Sequence, residues 1–249
     1  MKALVTGASS GMGKDMAKYL LDLGYDLFVV ARNEKLLNEV YADYSNVTII
    51  SLDLSCVDNC VKLYEMLKDK DIDVLINNVG FGAVGNFCDI SLDRELEMID
   101  LNIKSYHVLT KLFLNDFNLK NSGRILNVAS IAGFMPGPYM ATYYATKSYV
   151  VNLSLSIYEE LRKSKSNVKI SIFCPGPVKT NFDRVANVIN DRGGLDSRYA
   201  AKYAIDGMFK DNLLIIPLNM KLNRFFVRLC PVKLLLYINS KIQERKFRL

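Results

Sequence analysis

The chain has 249 residues, half of them hydrophobic, with 14 Gly, 6 Pro and no Trp, a composition that excludes a disordered segment or a fibrous repeat and supplies a sizeable core. Thirty-two Lys and Arg against 26 Asp and Glu give a formal charge of +6. The one histidine, His107, excludes sites built from two or three imidazoles, most catalytic zinc centres among them, and any His-assisted triad would have to use that same ring.

Five cysteines, Cys56, Cys60, Cys88, Cys174 and Cys230, are odd in number and lack C-x-x-C spacing, which points to a reducing compartment. The start carries no charged, apolar and small-residue succession of a secretory signal. The longest apolar runs, 213–218 and 234–238, fall far short of the roughly 20 residues that cross a bilayer. A cytoplasmic protein is expected. The basic excess is local: residues 219–249 hold eight basic residues and one acid, +7, which leaves the other 218 residues at −1. A near-neutral body with a cationic end does not describe a nucleic-acid binder.

In chain order, the apolar run 2–6 reads as a strand, followed by a glycine-rich turn and a helix over 14–23, where Met16, Ala17, Leu20 and Leu23 recur at helical spacing. Further strands are expected at 27–31, 47–51, 73–77, 124–129 and 169–173, with helices at 33–43, 56–69, 92–118 and 141–164. Near-continuous apolar strands separated by helical crossovers argue an α/β fold with a parallel sheet covered on both faces.

The first strand-turn-helix holds Gly7-Ala8-Ser9-Ser10-Gly11-Met12-Gly13. Glycines there allow a tight turn and bring backbone N–H groups close to a phosphate, while the helix start adds a favourable dipole. The setting suits a dinucleotide's pyrophosphate, and the missing G-K-[ST] ending argues against a P-loop. After the second strand, Arg32 stands where an acid would grip the adenosine ribose. A guanidinium can pair with a 2′-phosphate, favouring NADP(H) over NAD(H); a solvated arginine at a helix start is the alternative. Asp53 could receive the adenine amino group with Leu54 beside it, or could simply cap a turn. Asn77-Asn78-Val79-Gly80 closes the fourth strand with amide and small residues, which turns also favour.

Tyr143 and Lys147, four residues apart, share a helix face, a geometry that Tyr144 lacks. An ammonium beside a phenol favours the phenolate, and a lysine can also hold ribose hydroxyls. Ser130 follows the fifth strand at the carboxyl edge of the sheet, where its hydroxyl could polarise a substrate oxygen or cap the next turn.

Taken together, residues 1 to about 190 resemble the short-chain dehydrogenase/reductase family: T-G-A-S-S-G-M-G at 6–13, N-N-V-G at 77–80, Asn102, Ser130, Y-Y-A-T-K at 143–147 and P-G-P-V-K-T at 175–180. The resemblance implies a doubly wound Rossmann-type fold. It makes Ser130, Tyr143 and Lys147 the catalytic serine, tyrosine and lysine, thirteen and four residues apart as in the family. Asn102 corresponds to the asparagine that distorts its helix and holds a relay water. Gly7, Ser9, Ser10, Met12 and Gly13 correspond to the pyrophosphate loop, Asn78 and Gly80 to the cofactor-crossing turn, and Pro175, Gly176, Val178 and Thr180 to the stretch beside the nicotinamide. Val79 replaces the usual alanine, and Ser10 stands where NADP-dependent members often carry a basic residue, so Arg32 alone supports NADP(H). The implied reaction is hydride transfer between a nicotinamide and a carbonyl or secondary alcohol, with Tyr143 as acid and base and no metal.

Segments 81–84, 134–140 and 182–189 are the expected pocket and lid, apolar enough to favour an apolar carbonyl or alcohol, with Arg184 and Arg192 as possible exceptions. The family often dimerises through the helices holding 96–117 and 143–162, so a homodimer or homotetramer is expected, and His107 reads as a structural or interface residue. A first domain at 1–218 would be followed by a basic amphipathic extension at 219–249. In the extension, Leu222, Phe225, Phe226 and Leu229 line one helical face and Lys221, Arg224 and Arg228 the other, before Pro231 interrupts. The extension could lie on an anionic membrane, cover the cleft or pack between subunits. A cofactor-binding regulator without turnover and a membrane-associated structural protein are the competing functional readings.

Overall fold

A computed structural model of the chain describes residues 1–188 and 193–245. Among these residues, strands β1 (Lys2–Thr6), β2 (Asp26–Ala31), β3 (Val47–Ser51), β4 (Val74–Asn77), β5 (Arg124–Val128), β6 (Lys169–Phe173) and β7 (Leu214–Ile215) form one sheet in the order β3-β2-β1-β4-β5-β6-β7. All neighbours are parallel. The doubly wound sheet expected from the apolar runs is therefore what forms.

Both faces are covered, which explains why the strands read as continuous apolar runs rather than alternating ones. Ala3 and Val5 of β1 enter one core with helix α1 (Gly11–Asp22), α2 (Glu34–Tyr41) and α8 (Ser197–Phe209), while Leu4 between them enters the other. That second core is filled from α3 (Val57–Leu67), α5 (Ser105–Leu119) and α6 (Ala141–Lys163) by Leu63, Phe113 and Leu161 among others. Each such large side chain contributes about 1.5–3 kcal/mol by leaving water.

Three differences from the sequence expectation have local causes. Helix α1 begins at Gly11 rather than 14, because Gly11-Met12-Gly13 form its first turn behind the N-cap Ser10. The long helix expected at 92–118 is divided into α4 (Leu92–Ile99) and α5 by a π turn, Asp100–Lys104, centred on Asn102. Helix α8 and the two-residue β7 are not among the expected elements, although Ala200, Ala201, Ala204, Ile205 and Met208 recur at helical spacing and β7 lies in the apolar run 213–218. A short α7 (Phe182–Val185) lies within the expected lid, and α9 (Leu218–Leu229) and α10 (Val232–Glu244) form the extension.

The strand order reverses between β1, with β2 on one side, and β4 on the other. Loops leaving the carboxyl ends of β1, β4, β5 and β6 therefore converge on one crevice, the place where open α/β sheets bind ligands.

Candidate active site

The crevice is a cavity of about 660 Å³, within the range of small-molecule sites. Thr6, fully buried at the end of β1, positions its floor: its hydroxyl accepts from Asn78 N at 2.9 Å and donates to the Ile76 carbonyl at 3.2 Å, and the Asn78 amide returns to the Thr6 carbonyl at 3.2 Å. Gly7, Ser9, Ser10 and Met12 line the cavity at the start of α1, as do Asn78 and Gly80. Gly13 does not; it is a packing residue, since a Cβ there would overlap the Gly7 carbonyl oxygen and the Asn78 amide. Ser10 makes no side-chain cap bond and the first turn holds no acid, so the helix start keeps the donors and dipole that suit an anion.

Arg32 lines the cavity beyond this loop, more than half exposed. Its guanidinium donates to Glu97 Oε1 of α4 at 3.1 Å and lies 3.9 Å from Asp53. Asp53 itself is not among the lining residues. Its carboxylate accepts from the Ser55 N–H at 3.0 Å and the Ser55 hydroxyl at 2.8 Å, the turn-capping alternative for this residue, whereas Leu54 does line the cavity.

Ser130, Tyr143 and Lys147 meet on the opposite wall. Ser130 extends from β5 and caps the 3-10 turn Ile131–Phe134, its Oγ accepting from Ala132 N at 3.1 Å. Its one proton can go to the Pro175 carbonyl, a long 3.4 Å away, or to the hydrogen-bonded Tyr143 oxygen. Burial pushes the Tyr143 phenol well above its ordinary pKa, and the Ser130 hydroxyl opposes that rise. Lys147 Nζ stands 6.0 Å from the Tyr143 ring centre and donates to the Val128 carbonyl at 3.0 Å. Burial lowers the Lys147 pKa to about 8, because a buried ammonium has lost its hydration.

Asn102 does not line the cavity. It is fully buried at the π turn, where its amide nitrogen donates to the Phe81 carbonyl at 2.8 Å and to Thr146 Oγ1 at 3.1 Å, and its oxygen accepts from Phe81 N at 3.1 Å. A Cβ on Gly80 would stand 2.8 Å from that oxygen, so this turn can pass only as glycine. Pro175, Gly176, Val178 and Thr180 line the cavity after β6.

The pocket segments are placed more selectively. Phe81, Met135, Met140, Phe182, Val185 and Val188 are lining residues, whereas Gly82, Val84, Phe134, Pro138, Tyr139 and Arg184 are not. Ile189 and Arg192 lie outside the described residues. Of the places expected for the extension, covering the cleft is the one seen, though the residues that do so were not singled out: Met220 and Val227 of α9 and Leu235, Ile238 and Ile242 of α10 line the cavity, with Met220 against Gly176. The signal was there in part, as a helical apolar repeat, but nothing in it says which surface the repeat meets. His107 lies on α5 and shares a hydrogen bond of 2.7 Å with the Tyr149 hydroxyl of α6, and neither lines the cavity.

Comparison with known proteins accords with this geometry. The sequence model described as short chain dehydrogenase matches residues 1–188. The oxidoreductase YvrD of Bacillus subtilis (strain 168) is 35% identical over 181 residues, 71% of this chain and 68% of that protein. A very-long-chain 3-oxoacyl-CoA reductase of Laccaria bicolor is 32% identical over 176 residues, 67% of this chain and 52% of that longer protein. The solved short-chain dehydrogenase from Sphingobium yanoikuyae in complex with NADPH superposes with a TM-score of 0.83 at 27% identity, covering 90% of this chain and 91% of that one. With a matched family region that spans β1 to α7 and a crevice built at the family's switch point, this chain belongs to the short-chain dehydrogenase family and is an oxidoreductase of that family, acting between CH–OH and C=O with NAD(P).

Proposed function

We propose that the chain is an NADP(H)-dependent oxidoreductase that interconverts an apolar carbonyl and its secondary alcohol, with Tyr143 as the acid and base. The observation that carries this reading is the convergence of Ser130, Tyr143 and Lys147 on one cavity that also reaches the Gly7 loop and Arg32. The residues fit a dinucleotide: an uncapped helix start for the pyrophosphate, a cation where a 2′-phosphate would lie, and a turn at Gly80 with no room for a side chain. NAD(H) remains the alternative, since Ser10 offers no second cation.

When bound, the nicotinamide supplies or takes up the hydride. Tyr143, kept protonated by burial, gives its proton to the carbonyl oxygen in reduction and recovers one in oxidation. Ser130 donates to the same oxygen and steadies the charge that develops on it. Lys147 holds the ribose hydroxyls, and Asn102 routes replacement protons toward it from solvent. The apolar lining from Phe81, Met140, Phe182 and the α9–α10 roof selects an apolar substrate. The working form in this reading is a cytoplasmic homodimer or homotetramer packed through α5 and α6.

The test follows NADPH oxidation with a panel of apolar ketones. Tyr143→Phe is expected to lower kcat by about 10²–10⁴ while NADPH binding stays unchanged. Retained turnover would remove Tyr143 from the chemistry, and a wild-type chain that binds NADPH yet turns over no carbonyl or alcohol would be a cofactor-binding regulator instead.

A further inference from the structure

Helices α9 and α10 bury only part of their apolar surface: Met220, Val227 and Leu235 turn toward the cavity, but most of their large apolar side chains face outward. On α9, Leu218, Leu222, Phe225, Phe226 and Leu229 are 60–75% exposed, whereas Arg224 turns inward and places its guanidinium 4.8 Å from the Phe134 ring centre. On α10, Val232, Leu234, Tyr237, Ile238 and Ile242 are 43–65% exposed, whereas Asn239 and Gln243 are buried. Those two amides fasten the helix to the body: Asn239 donates to the Pro136 carbonyl at 2.6 Å and Gln243 to the Tyr144 hydroxyl at 2.6 Å. Hydrophobic burial alone would turn the larger apolar stripe of each helix inward. Ten large apolar side chains left exposed on two successive helices are unusual for a soluble monomer.

Charge indicates what covers it. Lys221 and Arg228 on α9 and Lys233 and Lys241 on α10 are exposed beside the apolar face, within the segment that holds +7 against a body at −1. A second copy meeting this face across a two-fold axis would set these four cations against the same four. A bilayer with anionic headgroups accepts both the apolar stripe and the cations. The face is also continuous with the cavity, because Ile238 and Ile242 line the cavity and are at the same time 44% and 43% exposed.

We propose that this face docks on an anionic lipid bilayer and that the cavity draws its substrate, a carbonyl or alcohol dissolved in the lipid, through the apolar opening at Ile238 and Ile242. The docking stands independently of the oxidoreductase reading; the substrate route rests on it.

The test uses the full chain and two double variants on outward residues that do not line the cavity, Phe225→Glu with Phe226→Glu, and Lys221→Glu with Arg228→Glu. The wild type is expected to sediment with phosphatidylcholine vesicles containing about one-third phosphatidylglycerol and only weakly with pure phosphatidylcholine, and each double variant to lose at least about tenfold in partition. With NADPH, turnover of a long-chain ketone embedded in the anionic vesicles is expected to fall by a similar factor in the variants, while reduction of a water-soluble ketone stays unchanged. Equal sedimentation of wild type and variants would overturn the docking. So would a wild-type dimer in size-exclusion that the Phe225/Phe226 variant dissolves, with no vesicle binding. Vesicle binding that behaves as expected without turnover of either ketone would support the docking and overturn the oxidoreductase reading.

Discussion

Arg32, at the end of β2, donates to Glu97 Oε1 of α4 at 3.1 Å, and Glu97 in turn accepts from Arg94 at 3.0 Å. The cation on which the proposed NADP(H) preference rests is thus already shared with a carboxylate, and a 2′-phosphate would have to compete with it. An exposed pair of this kind contributes at most about 1 kcal/mol. Glu97→Gln is therefore expected to raise the affinity for NADPH relative to NADH by about threefold, and Arg32→Asp to lower it below parity. Titration of both cofactors against the three proteins checks this; a wild type that prefers NADH would remove Arg32 from the argument.

Lys147 makes a second prediction, in which stability and activity part. Its pKa is lowered from 10.5 to about 8 by burial, so below about 8 the fold carries an ammonium that the unfolded chain would hydrate freely. That destabilisation is fully present at neutral pH and fades as pH rises from about 8 towards 10.5, where the unfolded chain also loses the proton. Lys147→Met gives up one hydrogen bond to the Val128 carbonyl but removes the buried charge. Its net effect at pH 7 is a gain of about 1–2 kcal/mol, a few degrees in Tm, with turnover lost. Melting curves at pH 7 and pH 10 check the sign: the variant's advantage should shrink at the higher pH.

Whatever its part in proton transfer, Asn102 also holds the structure at the edge of the site. Asn102→Ala leaves the buried Phe81 N–H without the acceptor it has at 3.1 Å and removes two further bonds, from the amide to the Phe81 carbonyl and to Thr146. Leaving such groups unpaired costs about 2–4 kcal/mol, which lowers Tm by about 5–10 °C in a chain of this size. Thermal unfolding followed by circular dichroism measures it. A variant that melts with the wild type would show that the π turn holds Phe81 without help from this side chain.

The strands, the glycine turn and the spacing of Ser130, Tyr143 and Lys147 were legible in the chain because each is a short-range pattern. Apolar runs separated by helical repeats require a two-faced parallel sheet, and residues four apart on a helix share a side wherever the helix lies. Asp53 and Gly13 were less legible. A carboxylate that can cap a turn or receive an amine looks the same in either role, and a glycine required by packing looks like one required by a ligand.

From the amino-acid order alone follow the fold class, the family and the convergence of Ser130, Tyr143, Lys147 and the Gly7 loop. Tertiary structure alone decided that Arg32 is held by a carboxylate 65 positions away, that burial raises the pKa of the Tyr143 phenol, and that α9 and α10 leave most of their large apolar side chains outward. The reason is common to all three. Periodicity shows which side chains share a face, but hydration, charge partners and the direction in which that face is packed depend on segments brought together from far along the chain.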